Sequence, residues 1–176
     1  MNVFASLPSR LRQVATLAVL LAAAGAGAAC SKEIGDSCFI NSDCDINGLR
    51  ICDNAANGGY CTILGCDYDT CPDESVCIRF YSGVFENRPC DPATEDALND
   101  GTDDCSLDEV CTLTGKCAVR TTEVRYCMRR CGDSGDCRDD YECRDEELMI
   151  ANGGEPLPAP EQSIDPDGHK FCAEAP

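Results

Sequence analysis

Seventeen of the 176 residues are cysteines, and no other feature restricts the fold of this chain as strongly. The chain has no tryptophan and only 6% aromatic residues, so a large apolar core cannot be assembled from its side chains. A disulfide that closes a loop of about 15 residues contributes roughly 3 kcal/mol. The composition therefore predicts a small disulfide-rich fold, irregular, with short β-hairpins and at most one or two short helices.

Sixteen of the cysteines form two sets of eight with similar spacing. The first set is Cys38, Cys44, Cys52, Cys61, Cys66, Cys71, Cys77 and Cys90, and the second is Cys105, Cys111, Cys117, Cys127, Cys131, Cys137, Cys143 and Cys172. The intervening residues number 5, 7, 8, 4, 4, 5 and 12 in the first set, and 5, 5, 9, 3, 5, 5 and 28 in the second. Chance agreement is the alternative, but the spacing favours a tandem duplication.

This duplication predicts two cysteine-rich modules, residues 38–90 and 105–172. Residues 91–104 contain six acidic residues and no basic one, which is typical of an exposed linker. Residues 150–167 contain four prolines and a Gly-Gly pair, and we expect them to be an irregular insertion in the second module. The disulfide pairing stays open, because eight cysteines allow 105 pairings in each module.

The N-terminal residues 1–29 have the organisation of a secretory signal. Arg10 and Arg12 are the only charged residues, and Thr16 is the only polar side chain of the apolar run 14–29. That run is about four residues shorter than the roughly 20 that a transmembrane helix requires. We therefore expect export of the rest of the chain, to a compartment where disulfides form.

The signal ends in Gly27-Ala28-Ala29-Cys30, which resembles the lipobox of bacterial lipoproteins. The resemblance implies that Cys30 receives a diacylglycerol thioether and becomes the first residue, followed by a tether, residues 30–37. A residue other than Asp after that cysteine, here Ser31, implies the outer membrane if the cell is Gram-negative. Lipidation also accounts for the odd cysteine, whereas cleavage nearby would leave Cys30 as a free thiol on a secreted protein.

The charge of the chain excludes one class of partner. The net charge is −18, and removal of residues 1–29 takes away two arginines and makes it −20. Such a surface repels nucleic acids and attracts cations and basic proteins. The expected partners are a lipid membrane, through the acyl chains of Cys30, and another envelope or extracellular protein.

Calcium is the one metal for which the sequence contains a candidate site. The closest cysteines, Cys127 and Cys131, are too far apart for the usual zinc or redox motifs. Asp43, Asp45 and Asn47 are spaced like the first ligands of an EF-hand loop, with Gly48 in the turn position. Asn54 stands where the bidentate glutamate belongs, so the favoured alternative is a hairpin turn at Asn47-Gly48.

Short elements of secondary structure are expected at three places. Residues 75–81 and 123–127 are rich in β-branched and aromatic residues and predict strands, and residues 138–150 predict a helix. The functional hypothesis is a membrane-anchored, disulfide-stabilised cell-envelope lipoprotein that serves as a structural or protein-interaction module. The alternatives are a calcium-dependent secreted adhesion protein and, third, an enzyme that uses the single histidine, His169.

Overall fold

The structure is a computed structural model that describes residues 31–82, 88–94, 104–160 and 162–176. The predicted signal and Cys30 lie outside the described residues, as do residues 95–103 of the predicted linker. Residues Ser31–Pro176 belong to one structural unit.

Short antiparallel strands make up most of the regular structure. The strands are β1 (Ile51–Asp53), β2 (Tyr60–Thr62), β3 (Ser75–Tyr81), β4 (Glu109–Cys111), β5 (Cys117–Val119), β6 (Glu123–Arg129), β7 (Tyr141–Arg144), β8 (Glu155–Pro156) and β9 (Phe171–Glu174). The described residues contain two helices, α1 (Asn41–Cys44) and α2 (Glu146–Asn152). The prediction of a small disulfide-rich fold with short strands and one or two short helices is confirmed.

A three-stranded sheet in the order β6-β3-β8 is the largest element of the fold. Strands β3 and β6 pair over their whole length, from Ser75 opposite Arg129 to Tyr81 opposite Glu123. The predicted strand at residues 75–81 is confirmed, and the one at 123–127 continues to Arg129. The other strands form three two-stranded sheets, β1-β2, β4-β5 and β7-β9.

Eight disulfides join the sixteen cysteines that follow Cys30, and they repeat one pattern four times. We call each set of four a four-cysteine unit, in which the first cysteine bonds the third and the second bonds the fourth. The bonded pairs are Cys38–Cys52 with Cys44–Cys61, Cys66–Cys77 with Cys71–Cys127, Cys90–Cys111 with Cys105–Cys117, and Cys131–Cys143 with Cys137–Cys172. The unit of Cys90, Cys105, Cys111 and Cys117 lies in the sequence between Cys77 and Cys127, the third and fourth cysteines of the preceding unit.

Each four-cysteine unit is built on one pair of antiparallel strands. Its third and fourth cysteines face each other directly in the ladder, as Cys52 does Cys61 and Cys77 does Cys127. The same holds for Cys111 with Cys117 and for Cys143 with Cys172. The facing cysteines are not bonded to each other, so each strand pair is tied to the two preceding segments instead.

Two disulfides connect the sets of eight that the spacing predicts. Cys71 bonds Cys127, and Cys90 bonds Cys111. The expectation that pairing is confined to each module is therefore wrong. The reason is the long β3-β6 ladder, which places Cys77 opposite Cys127 and brings Cys71 within reach of the second set.

The region from residue 138 to residue 167 also differs from its prediction. Residues 141–144 form strand β7, because Cys143 pairs with Cys172 in the ladder. The helix begins only after Asp145, whose side chain accepts a hydrogen bond from the Leu148 N–H. The predicted irregular insertion contains β8, which pairs with β3 through Pro156 and Glu155.

Cysteine sulfur forms much of the interior. Proline and glycine aside, the described residues include twenty-two buried apolar residues, and twelve of them are cysteines. The remaining apolar core is small and lies mainly on two clusters, one around Ile34 and Tyr60, the other around Ile78, Met149 and Phe171. Cross-links and a modest core thus share the stabilisation of the fold.

Candidate functional site

The cysteines of the described chain are engaged in disulfides. In each four-cysteine unit, three sulfur atoms lie within 4.8 Å of one another. The two disulfides of a unit lie side by side, and this arrangement accounts for the proximity.

The three candidate calcium ligands lie in and just after helix α1. The Asp43 carboxylate accepts hydrogen bonds from the N–H groups of Phe39 and Ile40. The Asp45 carboxylate accepts from the backbone N–H groups of Asn47 and Leu49, and from the Asn47 side chain. These backbone hydrogen bonds lower the pKa of both aspartates. Both carboxylates thus stabilise the local backbone through hydrogen bonds. Calcium binding at these residues stays a prediction.

The favoured alternative for this segment, a hairpin turn at Asn47-Gly48, is wrong. Strands β1 and β2 pair from Ile51–Thr62 to Asp53–Tyr60, so their connection is residues 54–59. Asn47 and Gly48 instead lie in the turn between α1 and β1. The Asp45 side chain closes this turn onto the N–H groups that follow it.

His169 lines a narrow cleft of about 50 Å³ that also contains Ser75. The Ser75 hydroxyl donates to the Pro72 carbonyl, and the His169 Nδ1 lies 3.1 Å from the Asp165 carbonyl oxygen. No hydrogen bond joins serine to histidine in the described part of the chain. The enzyme hypothesis gains no support from this pair.

A cleft of about 230 Å³ in the described structure has four aromatic residues in its lining. Its lining comes from β1 and the turn after it, β2, β3, β6, β7 and β9: Asp53, Ala56, Tyr60, Thr62, Phe80, Tyr126, Met128, Tyr141 and Glu174. This cleft cannot be recognised in the sequence, because residues more than 100 positions apart meet there. Tyr60 and Tyr126, which precede equivalent cysteines of the two sets, were its only signal.

The four aromatic side chains that line the cleft form two pairs. The rings of Tyr60 and Tyr141 stack with centroids 5.6 Å apart, and those of Phe80 and Tyr126 meet edge to face at 6.1 Å. The Arg138 guanidinium lies over Tyr141, 4.0 Å from the ring centroid. Burial raises the pKa of the Tyr60 and Tyr141 hydroxyls, which therefore stay neutral.

Two carboxylates stand at this aromatic cleft. Asp53 accepts a hydrogen bond from the Ala55 N–H, and Glu174 accepts one from the Asn57 N–H. Burial, and then the charge of Asp53, raises the pKa of Tyr126. Among the residues that the structure describes, no lysine, arginine or histidine lines the cleft. The walls are thus mainly apolar, with two carboxylates in the lining, and the Arg138 guanidinium lies against the Tyr141 ring.

A second surface feature is an exposed apolar loop, residues 39–51, which the Cys38–Cys52 disulfide closes. Four of its side chains, Phe39, Ile40, Ile46 and Leu49, are 60% to 83% exposed. The segment before it packs against the fold: Ile34 is fully buried, and the Gly35 N–H donates to the Cys61 carbonyl. The packed structure thus begins by Ile34, within the predicted tether.

Comparison with known proteins gives no relative. No protein-family model matches the chain, and no curated protein or solved structure matches it either. Among the described residues, neither helix is long and apolar enough to cross a membrane.

Proposed function

We propose that this protein is a lipid-anchored cell-envelope protein, in which Cys30 carries the lipid and the disulfide-stabilised fold is a structural or protein-interaction module. The observation that carries the proposal is the cysteine pairing. Eight disulfides use all sixteen cysteines after Cys30, so no cysteine of the chain remains as a partner for Cys30. An odd cysteine at the end of an export signal has its best chemical use as an acylation site.

Disulfides also support the extracytoplasmic location. Eight of them persist only in an oxidising compartment, which is where a secretory signal delivers a chain. One acyl chain binds a bilayer only marginally, whereas two or three hold a protein firmly. A thioether-linked diacylglycerol on Cys30 meets that requirement.

Few residues separate Cys30 from the fold in the sequence, and this supports an anchor that holds the module close to the bilayer. Ile34 is already buried in the core, four residues after Cys30. At up to about 3.6 Å per residue, that segment spans no more than about 14 Å. The exposed apolar loop lies beside it, because the Arg50 side chain donates to the Lys32 carbonyl. These contacts favour the exposed apolar loop as the surface nearest the lipid.

The test is the intact mass of protein purified from membranes, before and after reduction. We expect a chain that lacks residues 1–29 and carries acyl groups on Cys30, and that gains two hydrogens for each of eight disulfides on reduction. The Cys30→Ser variant, the matched control, loses the acyl mass and keeps the gain on reduction. A wild-type mass without acyl groups would overturn the proposed anchor.

A further inference from the structure

The aromatic cleft has the composition of a site for an organic cation. Of its nine lining residues, four are aromatic and one is methionine, and the two ionisable side chains other than tyrosine are the carboxylates Asp53 and Glu174. Neither carboxylate forms an ion pair with any cation among the described residues. Asp53 is half-buried and Glu174 is exposed, so both charges can meet a ligand that enters the cleft from solvent.

In the described structure, two of the four aromatic rings of the cleft, Phe80 and Tyr126, make no cation–π contact with a cationic side chain. Arg138 occupies the Tyr141 ring and lies 5.6 Å from the centroid of Tyr60, so that pair already holds a guanidinium. The Arg138 side chain also donates to the Asn57 carbonyl, which keeps it in place. No cation–π contact involves Phe80 or Tyr126 in the part of the chain that the structure covers. These two rings are half-buried and meet edge to face, and Phe80 also packs edge to face against Phe171 at 6.2 Å.

We propose that the aromatic cleft binds a quaternary ammonium group, with Phe80 and Tyr126 as its aromatic contacts and Asp53 and Glu174 as its countercharges. Aromatic faces attract cations through the quadrupole of the ring, and quaternary ammonium groups are the ligands that aromatic cages recognise. A primary ammonium is compact and strongly hydrated, so it suits apolar walls less well. The volume of about 230 Å³ lies below the roughly 300–1,000 Å³ of pockets for drug-sized ligands, and a small cation fits it better.

The first experiment compares two ligands of the same shape. Choline and 3,3-dimethylbutan-1-ol differ by the replacement of the charged nitrogen with carbon, so their difference reports the charge alone. We expect choline to bind the full-length protein at least about three-fold more tightly, as measured by calorimetry in a nonionic maltoside detergent. A third arm, trimethyllysine with blocked termini, separates a free cation from a methylated side chain as the source of the ammonium group. Equal affinity for choline and its neutral analogue overturns the proposal.

The second experiment assigns the site to this cleft. Tyr126→Leu removes the aromatic ring and keeps an apolar side chain, and we expect choline binding to weaken at least about three-fold. Asp53→Asn removes one charge and keeps the hydrogen-bond acceptor for the Ala55 N–H. We expect it to weaken the binding of choline but not that of the neutral analogue. The matched controls are Tyr68→Leu, an aromatic residue outside the cleft, and Glu147→Gln on the exposed side of α2. Choline affinities that change no more in the cleft variants than in the controls contradict the assignment.

This inference does not depend on lipidation. The titration is repeated with the Cys30→Ser protein, and we expect the same choline affinity, because the residues of the cleft all lie in Ser31–Pro176. A failed anchor with intact choline binding contradicts only the proposed function. A confirmed anchor without choline selectivity contradicts only the cleft.

Discussion

The buried hydroxyl of Tyr60 ties three parts of the chain together. It donates to the Cys172 carbonyl at 3.1 Å and accepts from the Arg129 N–H at 2.9 Å. Its ring stacks on Tyr141. The sequence shows only a tyrosine before a cysteine, as at Tyr126, and nothing local in it indicates hydrogen-bond partners 69 and 112 residues away.

Removal of this hydroxyl leaves the buried Cys172 carbonyl and the half-buried Arg129 N–H without this partner. We therefore expect Tyr60→Phe to lower the free energy of unfolding by about 1–3 kcal/mol. The measurement is denaturant unfolding with the disulfides intact. The half-exposed Tyr68 is the control, and Tyr68→Phe should change stability by less than about 0.5 kcal/mol. Equal effects of the two substitutions would show that the Tyr60 hydroxyl contributes nothing specific.

Two glycines in left-handed backbone conformations separate the cost of the conformation from the cost of a close approach. Gly48 has φ +77° and open space around its Cα, whereas a Cβ on Gly59, with φ +68°, would overlap the Cys38 carbonyl. Gly48→Ala should cost about 1–2 kcal/mol through its backbone conformation. We expect Gly59→Ala to cost clearly more in thermal unfolding. Similar melting temperatures for the two variants would rule out the close contact.

Among the elements, strand β8 is the one that the sequence least suggests. It consists of Glu155 and Pro156 in a proline-rich segment, yet it adds a third strand to the main sheet. The Arg79 side chain donates to Glu155 at 2.8 Å, and the Leu113 N–H donates to the same carboxylate. Burial raises the pKa of Glu155. Periodicity finds long strands such as β3, but a two-residue strand held by a buried ion pair leaves no periodic signal.

Loss of Glu155 should leave Arg79 charged and buried without its partner. We expect Glu155→Ala to lower the free energy of unfolding by about 3–5 kcal/mol, and Glu155→Gln by less, because the amide oxygen still accepts a hydrogen bond. Chemical denaturation measures both. Glu147→Ala, on the exposed side of α2, is the matched control and should lie within about 0.5 kcal/mol of wild type. A Glu155→Ala protein as stable as this control would contradict a structural role for the ion pair.

At the scale of the whole molecule, cysteine spacing predicted the class of fold but not the pairing. A small disulfide-rich protein follows from composition, because so few large apolar residues cannot stabilise 146 residues alone. The spacing predicted two sets of eight cysteines, whereas the disulfide pattern repeats over four cysteines, with one unit inserted in another. Such an insertion depends on pairing between strands that are far apart in the sequence, and the number of residues between cysteines does not indicate that pairing.

The proposed anchor also predicts which surface meets the membrane. The chain lacks tryptophan, so one introduced tryptophan reports its own surroundings. In lipidated protein on vesicles, Phe39→Trp should show blue-shifted emission and quenching by lipids that carry a quencher on the acyl chain. Leu107→Trp, at a position 97% exposed in the third four-cysteine unit, should show neither. Identical spectra at the two positions would contradict a membrane-facing loop.

The most direct test of the fold is a disulfide map of the purified, non-reduced protein. Proteolysis and mass spectrometry should recover the cross-links Cys71–Cys127 and Cys90–Cys111, together with the six other first-to-third and second-to-fourth bonds. Alkylation of the denatured, non-reduced protein should label none of the sixteen. A map confined to residues 38–90 and 105–172 separately, or bonds between the facing cysteines such as Cys52 and Cys61, would contradict the four-cysteine units.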